Sequence, residues 1–106
     1  MSVNVKIAPQ LEPALARMKG ETLDEKLAYL VTSELRRYLE QVERELLEYE
    51  IKYGVDYGQF IAQLERGEFG DPYAYEREQD AMRWESLVAE KKLWLEQLRR
   101  VEGLVK

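Results

Sequence analysis

Residues 22–54, TLDEKLAYLVTSELRRYLEQVERELLEYEIKYG, form one uninterrupted helical pattern with a marked start and a marked end. Thr22-Leu23-Asp24-Glu25 is a capping box, in which the threonine oxygen and the Glu25 carboxylate satisfy each other's end-of-helix N–H groups. Gly54 can take the left-handed conformation that closes a helix. Between them Leu27, Val31, Leu35, Tyr38, Leu39, Val42, Leu46, Tyr49 and Tyr53 recur at steps of three and four, which sets them on one stripe. Leu35, Val42 and Tyr49 also repeat every seven residues, as do Leu39, Leu46 and Tyr53, the spacing of a helix packed along another helix. Glu40–Arg44 and Glu48–Lys52 are acid-before-base pairs one turn apart, worth roughly 0.2–0.5 kcal/mol each. A helix of this length runs on the order of 45 Å. That exceeds one small core, so its two ends are expected to do different jobs.

The 106 residues allow one domain, or one small domain with a helical extension, and a core modest enough that a partner is expected to complete it. With no cysteine and no histidine, disulfides, thiol chemistry, histidine-based nucleophilic sites and the usual zinc ligands are excluded. The sequence carries no signal-peptide pattern and no long apolar run, so a soluble cytoplasmic protein is expected. Residues 1–40 hold six of the sixteen bases and six of the twenty-one acids. Residues 41–106 hold the other ten and fifteen, and so the entire net charge of −5. An acidic half suits a basic partner or a solvated helical surface.

Upstream of the long helix, Val3-Asn4-Val5-Lys6-Ile7 alternates apolar and polar residues. It reads as a short strand with Val3, Val5 and Ile7 inward and Ser2, Asn4 and Lys6 outward. Ala8-Pro9 ends it. The chain offers no second strand, so the natural partner is the same strand of a second copy, giving a homodimer; a loose tail is the alternative. Leu11–Lys19 reads as a short helix starting near residues 10–12, because Pro13 is tolerated only in a first turn. Leu11, Leu15 and Met18 form its apolar face, and Gly20 ends it.

This order of a strand with outward polar residues, a proline-flanked short helix, the turn Gly20-Glu21-Thr22 and a capped second helix resembles a ribbon-helix-helix DNA-binding unit over residues 2–39. The resemblance implies a two-chain antiparallel ribbon in the major groove of duplex DNA. Ser2, Asn4 and Lys6 would read bases, and the backbone at Thr22 and Leu23 would hold a phosphate; the chemistry agrees, since Asn suits adenine and Lys guanine, and helix N-termini attract phosphate. Residues 1–40 are not basic, and Glu21, Asp24 and Glu25 crowd the phosphate position, so dimerisation without DNA binding stays open.

Beyond Gly54, Asp56 caps an expected helix over Tyr57–Arg66 that ends at Gly67, and Asp71-Pro72 starts a last helix reaching about Glu102. The last helix's stripe is Ala81, Trp84, Leu87, Val88, Leu95, Leu98 and Val101, with Trp94 at its edge, Lys91 interrupting it, and Glu96 able to pair with Arg99 or Arg100. The expected fold is therefore mainly α. A short N-terminal strand precedes an antiparallel hairpin of two long helices, bridged by the short helix 57–66. Residues 1–40 form the dimerisation or DNA-binding unit, and residues 41–106 an acidic, partner-binding hairpin.

The stretch Tyr49–Gly54, with Phe60, Leu64, Gly67-Glu68, Gly70-Asp71 and Tyr75 through Glu85, is similar to the C-terminal segment of small prokaryotic antitoxins. That resemblance implies an acidic helical arm that binds a toxin. Phe69 lies between two glycines, and Tyr73 and Tyr75 precede the apolar stripe. Phe69, Tyr73, Tyr75 and Trp94 are the candidate contacts to a basic toxin protein. The alternative is that Phe69, Tyr73 and Tyr75 fold back onto Tyr53 and Phe60. Trp84, Tyr49 and Tyr53 are expected in the core. An enzyme reading rests on Glu76, Glu78 and Asp80 facing Glu40, Glu43, Glu45 and Glu48, carboxylates that could hold magnesium as in helical nucleotide pyrophosphohydrolases. The acids alternate with Arg44, Arg77 and Arg83, and a solvated charged face explains them better. No enzyme activity, metal or cofactor is expected, and no membrane partner.

Overall fold

A computed structural model describes residues 6–70 and 74–105. Among these residues the fold is entirely helical: α1 (Glu12–Ala16), α2 (Leu23–Tyr53), α3 (Tyr57–Glu65) and α4 (Ala74–Glu102). The molecule is a rod of 59 × 25 × 23 Å, and α2 and α4 form its length. None of these helices is long and apolar enough to cross a membrane.

The ends of α2 follow local chemistry. Thr22 is extended, and its Oγ1 accepts the Glu25 N–H at 3.1 Å. The Glu25 carboxylate reaches one residue further back than the expected reciprocal box, accepting from the Glu21 N–H at 2.9 Å. Gly54 closes the helix in the left-handed region, with its N–H on the Glu50 carbonyl at 2.7 Å. At Gly20, φ is 122°, and a Cβ would lie 2.8 Å from the Lys26 nitrogen, so only glycine lets this turn close onto the start of α2.

The α2–α4 pair is antiparallel, as expected. Arg36, early in α2, meets Glu102 at the end of α4 at 2.9 Å, while Lys52, late in α2, meets Glu76 and Asp80 near the start of α4 at 2.9 and 2.6 Å. Between these ends Tyr38 packs on Trp94, Glu45 pairs with Arg83 and Tyr49 stacks on Trp84. Lys52 is thus spent across the helix pair and not on Glu48, and no ion pair joins Glu40 to Arg44 among the described residues. The core is centred on the hairpin's closed end, where Trp84, Phe60 and Leu87 are fully buried. Each such side chain stabilises by about 1.5–3 kcal/mol. The short helix α3 is held at its start by a complete Asp56/Gln59 capping box and folds Phe60 into that core.

Three expectations need correction. The strand over Val3–Ile7 lies largely outside the described residues, and Lys6 and Ile7 carry no strand. The first helix stops at Ala16, short of Lys19; Arg17 and Met18 donate three residues back in a tighter turn. The α2 stripe, expected to be half-exposed around Leu27 and Leu35, is rotated at its N-terminal end: Leu35 is buried with Ala28, Thr32, Leu39 and Val42, while Leu27 and Val31 are 38 % and 44 % exposed, as expected for Leu27. Alternating steps of four and three keep the first set on a straight line facing α4. The four-residue ladder Leu27–Val31–Leu35 drifts around the helix.

Candidate functional site

The first region of interest is the junction of α1 and α2. No residue of α1 is buried. Ile7, Leu11, Leu15, Met18, Leu27 and Leu30 line an apolar groove of about 560 Å³, in which Leu11 remains 54 % exposed. Polar contacts, not packing, hold α1 in place. The Lys26 ammonium donates to the carbonyls of Leu15 at 2.8 Å and Met18 at 3.2 Å, covering the open C-terminal end of α1. Beside it Lys19 lies over the Tyr29 ring, 4.6 Å from its centroid. Of the residues expected to meet DNA, Lys6 is exposed and lines the groove, Thr22 is the α2 cap, and Ser2 and Asn4 lie outside the described residues.

The second region is the closed end of the hairpin. Tyr53 contacts Phe60, Phe69 and Trp84 with ring centroids 4.5, 5.9 and 5.9 Å apart. Phe69 also meets Phe60 at 5.5 Å, and the Arg77 guanidinium covers it at 4.9 Å while donating to the Gly70 carbonyl. Phe69 therefore folds back on the aromatic cluster, whereas Tyr75 is 76 % exposed; Tyr73 lies outside the described residues. Trp94, nineteen residues beyond Tyr75 on α4, is about 28 Å further along the rod, so these candidates do not share one patch.

Electrostatics reinforce this end. Tyr53 Oη donates to Asp80 Oδ2 at 2.5 Å, and Lys52 donates to the same oxygen at 2.6 Å. Burial, then the bond to Asp80, pushes the Tyr53 hydroxyl up to about 12. Its bonds to Asp80 and Glu76 raise the Lys52 ammonium above the ordinary lysine range. Four of the seven carboxylates considered for magnesium are engaged with cations: Glu76 and Asp80 with Lys52, Glu45 with Arg83, Glu43 with Lys91 at 3.8 Å. Among the described residues no group of three or more acidic side chains is placed to hold a metal ion.

A third feature lies midway along the rod. Tyr38 and Trp94 pack with centroids 5.3 Å apart and form one wall of a cavity of about 220 Å³ between α2 and α4. Gln41, Val42, Glu45, Arg83 and Glu90 complete it. Sequence reasoning marked Trp94 but missed its partners, because Tyr38 reads as a stripe residue and Glu90 stands in no pattern that singles it out. It also missed Lys26, whose only signal was a cation between apolar Leu23 and Leu27. Comparison with family models, curated proteins and solved structures gave no match.

Proposed function

We propose that the chain is a homodimeric DNA-binding regulator of antitoxin type, which pairs through residues 1–40 and offers its helical hairpin to a basic toxin protein. The uncovered groove at α1 and α2 carries this reading. Leu11, Met18, Leu27, Leu30 and Val31 are each 38–54 % exposed on one small, otherwise weakly packed unit. An apolar surface of this kind marks an interaction site. A second copy supplies both a cover for the groove and a pairing strand for residues 3–7. Ser2, Asn4 and Lys6 would then face the major groove of duplex DNA from the ribbon. The hairpin, with the whole net negative charge, remains free at the far end for a partner.

A second reading, a protein-binding dimer without DNA, is favoured by the cap of α2. The N–H groups of Glu21 and Glu25 are already bonded to the Glu25 and Thr22 side chains, and Asp24 adds negative charge where a phosphate would sit. Fluorescence anisotropy with the upstream region of the protein's own gene separates the two. The regulator binds this duplex, loses affinity steeply with salt, and loses about 1–3 kcal/mol in Lys6→Ala or Asn4→Ala. Equal affinity in both variants leaves the protein-binding dimer.

A further inference from the structure

We infer that the mid-rod cavity at Tyr38 and Trp94 receives an arginine side chain presented by a partner protein; as an anchor for the toxin this rests on the antitoxin reading. The cavity exceeds many times over the ~15 Å³ that one water needs. Its lining holds two carboxylates and one cation. Glu45 is committed to Arg83 at 2.6 Å, and no hydrogen bond or ion pair engages Glu90 among the described residues. One half-buried carboxylate, Glu90, thus feels Arg83 only through space and keeps its acceptor positions open beside a Trp–Tyr wall, with the Gln41 amide as a further acceptor. A planar guanidinium suits this set. It stacks on aromatic faces, donates in plane to a carboxylate and an amide oxygen, and sheds water more readily than an ammonium. An anion is disfavoured, because the only lining cation is already paired with Glu45 and Glu90 adds a further negative charge. The location also accounts for Trp94, which is half-buried and packs on Tyr38 outside the buried core.

Trp94 reports its own occupancy, since the chain's other tryptophan, Trp84, is fully buried. Tryptophan emission of the full-length protein is followed while N-acetyl-argininamide is added, with N-acetyl-lysinamide and sodium chloride as parallel titrants. The expected result is a saturable change with the arginine compound alone. It vanishes in Trp94→Phe, needs at least tenfold more ligand in Glu90→Gln, and is unchanged in Glu96→Gln. A response that is absent, that salt or the lysine compound reproduces equally, or that survives Glu90→Gln unaltered overturns the assignment. Thermal melts of Glu90→Gln and Trp94→Phe show that both variants fold. No toxin enters this titration, so its failure removes the arginine site without touching the antitoxin reading. Conversely, absence of a toxin from pull-downs leaves the titration standing.

Discussion

The ammonium of Lys26 sits 2.8 Å from the carbonyl oxygen of Leu15, so the first turn of α2 closes the C-terminal end of α1. This one side chain does for α1 what a buried face does for the longer helices. A five-residue helix with no buried residue has little intrinsic stability.

Lys26→Gln should therefore release α1 without unfolding the hairpin. Trypsin cutting after Arg17 and Lys19 is expected to accelerate several-fold, while the main thermal transition moves by no more than about 1 kcal/mol. Unchanged cleavage at both sites would mean that α1 is held by something other than this contact.

At the opposite end, Tyr53 and Asp80 give a pH signature. The folded-state value of Tyr53 lies above the ordinary tyrosine value, so its contribution is complete below pH 10 and is lost as pH rises toward about 12. Lys52 and Tyr49 are shifted in the same upward direction, by the acids beside Lys52 and by burial of Tyr49. Melting temperature is expected to fall between pH 10 and 12, and less steeply in Tyr53→Phe. Identical slopes for the two proteins would remove Tyr53 from the account.

Phe69 and Tyr75 separate cleanly. Phe69→Ala should lower stability by about 2 kcal/mol, since it opens the contacts with Tyr53 and Phe60. Tyr75→Ala should leave the melt in place, being an exposed ring near the start of α4, and on the proposed reading should weaken capture of a toxin. A large stability loss in Tyr75→Ala would remove it as a contact residue.

Thr32 is buried on the α2 face, and its hydroxyl finds no hydrogen-bond partner among the described residues. Thr32→Val keeps the branched shape and removes the desolvated oxygen, so stability should rise by about 1 kcal/mol, a few degrees in melting temperature. A lower melting temperature would mean that the hydroxyl is satisfied in solution.

The hairpin was legible in the sequence because caps and periodicity are local signals. Thr22, Gly54 and Asp56 each mark a helix end where the chain has one. The aromatic core was legible in part: Trp84 stood on the stripe, but the return of Phe69 depends on the path of the loop after Gly67. The rotation that buries Ala28 and Thr32 was hidden, since ladders of four and of alternating four and three coincide at Leu35. Lys26 and the Tyr38–Trp94 cavity join residues 11 and 56 positions apart, and no spacing rule spans such distances.

The central claim is that the groove of Leu11, Leu15, Met18, Leu27 and Leu30 is half of an interface between two copies. Multi-angle light scattering on the full-length protein at micromolar concentration tests it most directly, with Leu27→Glu/Leu30→Glu as the paired variant. The account predicts twice the 12.6 kDa chain mass for the native protein and a shift toward the single-chain mass for the variant. A folded, single-chain mass for the native protein at that concentration would contradict it, and the ribbon reading with it.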